Sequence, residues 1–166
     1  RIRKKFTKRP STKKYIGKSI EERPEEINNR SRFGDGEIDS VLGGKTIGEL
    51  YSELDRTTNT YAVTKKLVEK KAEYVNQAVL ECMKLYPIRS ITADNGNEFS
   101  SLGKIEGLDV YFAHAYSSYE RGTNENFNGL LREFIPKGYS LKELNQNLLE
   151  DYTKAINERP RRIHDY

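Results

Sequence analysis

Hydrophobic and polar positions along the chain change period several times. Residues 1–24 show no sustained period, carry Pro10 and Pro24, and read as an extended arm. From Arg30 the pattern becomes regular. GDGEIDSVLGGK holds a short apolar-alternating run, Glu37 to Leu42, stopped by Gly43-Gly44, and reads as a strand. TIGELYSELDR and TYAVTKKL are two further strand-like runs, separated by the turn-prone stretch from Asp55 to Asn59. Glu69 to Tyr86 switches to a helical period: Ala72, Val75, Val79, Met83 and Tyr86 recur at steps of three and four. Pro87 ends it. IRSITAD is a short β-rich run, DNGNEF a turn, and LDVYFA a fifth strand. Tyr119 to Phe134 and Leu141 to Asn157 read as helices, closed by Pro136 and by Arg159-Pro160. Three strands, a helix, a strand, a loop, a strand and two helices predict an α/β domain, a mixed five-stranded sheet flanked by helices. The ribonuclease-H-like fold is one of several with this order.

The length of 166 residues fits one compact domain with its own core. We divide it into a basic arm or linker, 1–24, and a core, 25–166. The chain begins at Arg1, as a piece of a longer protein would. No apolar run follows the basic start, so no signal peptide is expected, and none is long enough to cross a bilayer. The single cysteine, Cys82, excludes an internal disulfide framework and fits a reducing compartment; its helical apolar surroundings make it a core residue.

Charge changes the picture. The net charge is +4, yet residues 1–19 hold nine basic side chains and no acid, so the remainder is net negative. A basic arm is suited to contacting phosphates, and equally to being a solvated tail.

Three acids stand out by position. Asp39 lies in the otherwise apolar or small run EIDSVL, where an acid is costly unless paired, metal-bound or on an edge facing water. Asp94 closes a strand and opens Asp-Asn-Gly, a place for ligand groups in open sheets and also an ordinary turn sequence. Glu125 lies near the centre of the polar face of an amphipathic helix: at about 100° per residue, Phe127, Leu130, Leu131 and Phe134 fall on the far side. Gly129 and Arg132 share its face. A solvated surface Glu is the plainer reading, but the Gly weakens a helix by about 1 kcal/mol and suits close approach of another chain. Three such carboxylates can hold hard divalent cations, and two ions can drive phosphoryl displacement without a His or Cys ligand. The sequence has no complete G-x-x-x-x-G-K-[ST] phosphate loop, since Gly17-Lys18-Ser19 and Gly44-Lys45-Thr46 lack the glycine five residues before, and it has no Cys/His zinc cluster.

The segments ERPEEINNRSRFGDGEIDSVLG, ITADNGNEF, YFAHAYSSYERGTNENFNGLLREFIPKG and NERPRR resemble the core of insertion-sequence transposases of the IS-thirty type, within the DDE transposase and retroviral integrase superfamily. ERGTNENFNGLLREFIPKG is the most specific block. The resemblance covers about residues 20–162. It implies a ribonuclease-H-like fold, Asp39, Asp94 and Glu125 as catalytic acids and metal ligands, and two Mg²⁺ or Mn²⁺ ions. It implies DNA as partner, both transposon ends and target, with no small-molecule substrate, no separate cofactor site and no membrane. It also implies homo-oligomers at synapsis and a cytoplasmic, nucleoid-associated place in a bacterial cell. Tyr116, Arg121, Asn124, Asn126, Arg132 and Lys137, clustered at the third motif, become candidates for DNA contact. Three features depart from the family pattern. Gly36 stands where a Trp usually precedes Glu37, His114-Ala115 replaces an Asp-Pro pair before Tyr116, and the segment from Ser100 to Leu108 is shortened. Two alternatives accompany the transposase reading: a ribonuclease-H-like nuclease that cuts without joining, and an inactive DNA-binding remnant.

Overall fold

A computed structural model describes residues 16–42, 49–55, 61–115 and 117–160; for 42, 49–55 and 118 the description is of the backbone alone. Strands are β1 (Lys18–Ser19), β2 (Asp35–Leu42), β3 (Glu49–Asp55), β4 (Ala62–Leu67), β5 (Ser90–Ala93) and β6 (Asp109–Phe112). Helices are α1 (Glu25–Asn28), α2 (Ala72–Leu85), α3 (Gly122–Phe134) and α4 (Gln146–Asn157). The sheet runs β1-β6-β5-β2-β3-β4. The β2-β3-β4 meander is antiparallel, and β5, β6 and β1 add in parallel on the other side of β2.

The sheet has six strands, not five. The addition is β1, two residues long, paired with Tyr111 and Phe112 of β6. Two residues of a polar segment show no period, and their pairing comes from β6. Residues 16–24 of the expected arm are thus joined to the core. Ile16 exchanges backbone hydrogen bonds with Ser100 and Gly103, and Ser19 and Glu22 form a capping box over the turn Ile20–Glu22. Residues 1–15 lie outside the described residues.

Alternation along each strand sorts side chains to two faces. Ile38, Ile91, Ala93, Val110 and Phe112 meet Val75, Ala78, Val79 and Cys82 of α2 in one apolar cluster. Cys82 is fully buried there, as expected. Val41 and Ala62 meet Phe127 and Leu131 of α3 and Leu149 and Ile156 of α4 in the other. The outer edge of β4 is covered by side-chain amides of α4: Asn157 bonds both backbone groups of Ala62, and Gln146 bonds Lys66 N–H and Thr64 C=O.

Helix boundaries differ from expectation where a cap decides them. The last helix starts at Gln146 because Asn145 Oδ1 accepts the Leu148 N–H at 2.7 Å; Leu141 and Leu144, read as helical, are buried anchors before it. The helix expected from Tyr119 is split into a 3₁₀ turn, Ser118–Arg121, and α3, because Arg121 leaves the helical region (φ −129°, ψ 41°). Among the described residues no helix is long and apolar enough to cross a membrane.

Candidate active site

Strand β2 presents Asp35, Glu37 and Asp39 in succession toward α3. Asp35 is buried and held by a two-pronged Arg32 (2.7 and 3.1 Å) and by Ser90 Oγ–H at 2.7 Å. Glu37 is equally buried, and its Oε2 accepts the backbone N–H of Asn124 at 3.3 Å. Asp39 is half-buried.

Glu37 is paired with Thr92 across parallel β2 and β5. Two residues further along, the same register sets Asp39 beside Asp94, the first residue after β5. Asp39 Oδ1 accepts its neighbour's Ser40 N–H, and Oδ2 accepts Asn128 Nδ2–H, both at 2.9 Å. Asp94 Oδ1 accepts Gly96 N–H at 2.7 Å. Arg121 joins the two: Nη2 lies 3.3 Å from Asp94 Oδ2 and Nη1 3.6 Å from Asp39 Oδ1, while Nη1 also donates to the Ile38 carbonyl at 3.2 Å. Burial, and then the Asp94 carboxylate, push the Asp39 carboxyl up from its ordinary value against the pull of Arg121, Ser40 and Asn128.

Glu125 is exposed in the first turn of α3, three residues before the Asn128 that bonds Asp39. The structure therefore brings two of the three expected acids together and leaves Glu125 outside their contacts. Among the described residues no three acidic, His or Cys side chains lie close enough to hold a metal ion. Asn126 is exposed, as is Lys137 just past α3. Arg132 is half-buried at the end of α3, 3.4 Å from the Ile135 carbonyl. Asn124, expected at a DNA surface, is fully buried, and among the described residues its side-chain amide has no hydrogen-bond partner. The buried Glu37 draws its backbone inward. Tyr116 lies outside the described residues. Open space surrounds the position a Cβ would take at Gly129, so that face of α3 is clear.

Two groups escaped the sequence reading, Glu37 and Glu98, and His114 enters it only as a departure from the family pattern. Glu37 could have been found from the acidic alternation Asp35-Glu37-Asp39. Glu98, in the turn after Asp94, is buried and accepts Ser40 Oγ–H at 2.7 Å and a Lys70 contact at 3.0 Å; nothing in a polar turn sequence marks it as internal. His114 stands between Glu120 (Nδ1 to Oε1, 2.8 Å) and Glu21 (Nε2 to Oε1, 3.2 Å), and Glu120 chiefly raises its pKa.

Asp94, Asn95, Gly96, Ala113, His114, Ala115, Ser117 and Arg121 line one open cleft. It sits beyond the carboxyl ends of β5 and β6, where open parallel sheets place ligands.

No protein-family model matches the chain. It is 89% identical over 168 residues to a probable transposase for an IS1161-like insertion element of Streptococcus salivarius, covering all of this chain and 49% of that protein. It is 38% identical to the transposase of insertion sequence element IS4351 of Bacteroides fragilis, over 89% of this chain and 46% of the relative. It is 34% identical to transposase InsI of element IS30A of Escherichia coli K12, over 88% and 39%. The chain belongs to the IS-thirty family of transposases. It spans about half the length of these curated relatives, or less.

A crystal structure of the catalytic core domain of BIV integrase shares the fold, with a TM-score of 0.60 at 15% identity over 77% of this chain and 86% of that one. The sheet and helices of this transposase-family chain are thus ribonuclease-H-like. Two of the three departures expected from the resemblance fall at separate places. Gly36 lines a small apolar cleft with Phe33, Tyr61, Val63 and Tyr86 near the start of β2, away from Asp39 and Asp94. His114 and Ala115 line the cleft itself.

Proposed function

We propose that this chain carries the phosphodiester chemistry of a transposase: divalent-metal-dependent cleavage of DNA at element ends, then attack of the released 3′-hydroxyl on target DNA. The observation that carries it is the pairing of Asp39 with Asp94 on adjacent parallel strands, with a cation drawn between them. Two close carboxylate oxygen donors suit Mg²⁺ or Mn²⁺; Asp39 and Asp94 would hold the ion, and Glu125, which stands apart from them here, would complete the set. When bound, a pair of such ions activates the attacking oxygen and stabilises the leaving one.

The chain's own groups do the positioning. Asn128 and the Ser40 N–H fix the Asp39 carboxylate, and the Gly96 N–H fixes Asp94. Arg121 balances the pair's charge until substrate arrives and then faces its phosphates. Asn126, Arg132 and Lys137 extend the DNA contact along α3 and just past it, Tyr116 is a further contact, and Asn124 serves from inside through its backbone bond to Glu37. The basic arm binds DNA backbone. Synapsis of two ends calls for a homo-oligomer, and the substrate places the protein in the bacterial cytoplasm with the nucleoid.

The test is Mn²⁺-dependent nicking of supercoiled plasmid by the chain beside Asp94→Asn and Glu125→Gln. Loss of a ligand removes several kcal/mol of transition-state stabilisation, so both variants should fall by about 10³-fold or more. Equal rates in all three would refute the assignment. A second reading, a DNA-binding remnant, is favoured by Glu125 standing apart from the aspartates; silence of the parent in Mn²⁺ would support it. Labelled ends joined to the plasmid separate a transposase from a nuclease that only cuts.

A further inference from the structure

The second charged pair beside the aspartates has no part in the chemistry above. Glu98 is 4% exposed, and an acid so buried requires a partner. It has Ser40 Oγ–H at 2.7 Å and Lys70 Nζ at 3.0 Å, both on Oε1. Its other oxygen points toward Asp94. A Cβ built at Gly96 would lie 2.6 Å from Glu98 Oε2 and 2.8 Å from Asp94 Oδ1, so the missing side chain of Gly96 is what admits both carboxylates. The anchor is buried but the cation is not: the Lys70 side chain is 38% exposed.

Successive residues of a strand point to opposite faces. Asp39 meets Arg121 and Asn128 from the α3 side, and Ser40 meets Glu98 from the other. Arg121 and Lys70 therefore flank the Asp39–Asp94 pair from the two faces of the sheet. The paired Asp39 and Asp94 carboxylates produce a field that repels a phosphodiester. Cations fixed on either side offset that repulsion and define the track of the backbone.

We propose that Lys70, fixed by the buried Glu98, is a DNA-phosphate contact of this site, on the face of the sheet opposite Arg121, and that Glu98 is its positioning residue. This rests on the reading of the cleft as a DNA site. A lysine that only neutralises Glu98 would affect folding and leave DNA binding alone, which gives the two roles different readouts.

The experiment is fluorescence anisotropy of a short fluorescein-labelled DNA duplex across a KCl series without divalent metal. Each phosphate contact adds about 0.9 to the slope of log Kobs against log salt. Lys70→Ala should lower the slope by about 1, and Lys70→Arg should keep the parent value. Lys70→Gln, which still donates to Glu98, should show the same loss with the parent's melting temperature and serves if the alanine variant melts early. In a Glu98→Gln background, Lys70→Ala should lose most of its effect, because the cation is no longer held in place. Unchanged slopes in the Lys70 variants, with the parent binding, would overturn the inference alone. Additive effects of the two changes would overturn the anchoring role of Glu98. Absence of binding by the parent at low salt would overturn the DNA reading and this inference with it.

Discussion

One face of β2 carries Ile38 into a closed apolar cluster; the other carries Asp35, Glu37 and Asp39 toward α3. On the first face Ile38 is satisfied by apolar contact, and Ser40 by its bond to Glu98. The acidic face is satisfied in a graded way. Asp35 has a two-pronged Arg32 and Ser90, Glu37 has one backbone N–H of α3, and Asp39 meets Arg121 and Asn128. Exposure rises along the same line, from 1% for the first two to 23% for the Asp39 side chain. One strand thus holds the fold with one set of side chains and presents chemistry with the other. Burial raises the Asp39 pKa despite three favourable partners.

The comparison is broken or sharpened by substitutions on the two faces. The largest effect is expected for Asp39→Asn: nicking falls by about 10³-fold or more, while the melting temperature at neutral pH stays level or rises. The folded state raises the Asp39 pKa above its ordinary 3.8, so this group's favourable contribution is complete below that value and is lost as pH rises through the folded pKa. The melting gap between Asp39→Asn and the parent should therefore widen with rising pH from 3.8 and then level off; a gap that narrows would contradict the burial argument. Next comes Ile38→Ala, one residue away. It should cost about 2–5 kcal/mol of stability by denaturant titration while nicking per folded molecule stays within a few-fold of the parent. A Ile38→Ala chain that folds well but does not cut would mean that the two faces are not separable.

The smallest effect concerns the cleft wall. His114 should titrate above its ordinary 6.5 by NMR, because Glu120 and then Glu21 hold its protonated ring. Burial pushes the Glu120 carboxyl up, but its bonds to His114 outweigh that and lower it. Glu120→Gln should bring His114 back toward 6.5. A His114 titration that ignores Glu120 would show that the two do not pair in solution.

Much of this was legible from the chain because its signals are local. The period of two gave β2 through β6 nearly in place, and the period of three and four gave α2 with Val75, Val79 and Cys82 in the core. Asp39 and Asp94 were found from position, an acid inside an apolar strand and an acid at a strand's end. Where the signal was short or borrowed, the reading failed. Strand β1 has two residues and depends on β6, and the start of α4 depends on a single Asn145 cap that the apolar pattern of Leu141 and Leu144 overrides. Asn124 reads as a surface amide and is buried.

The sequence by itself determined the order of the main strands and helices, the concentration of basic residues in 1–19, and two aspartates, one inside a strand and one at a strand's end, because each is written in consecutive residues whose period or neighbours reveal it. Only the tertiary structure decided which groups bond: Ser40 with Glu98, 58 positions apart; Arg121 with the Ile38 carbonyl, 83 apart; and Glu37 with the Asn124 backbone N–H, 87 apart. Those pairings follow from strand register and from the face on which α3 lands. Both are set by the burial of Phe127, Leu131 and Val41, not by anything the polar residues signal along the chain.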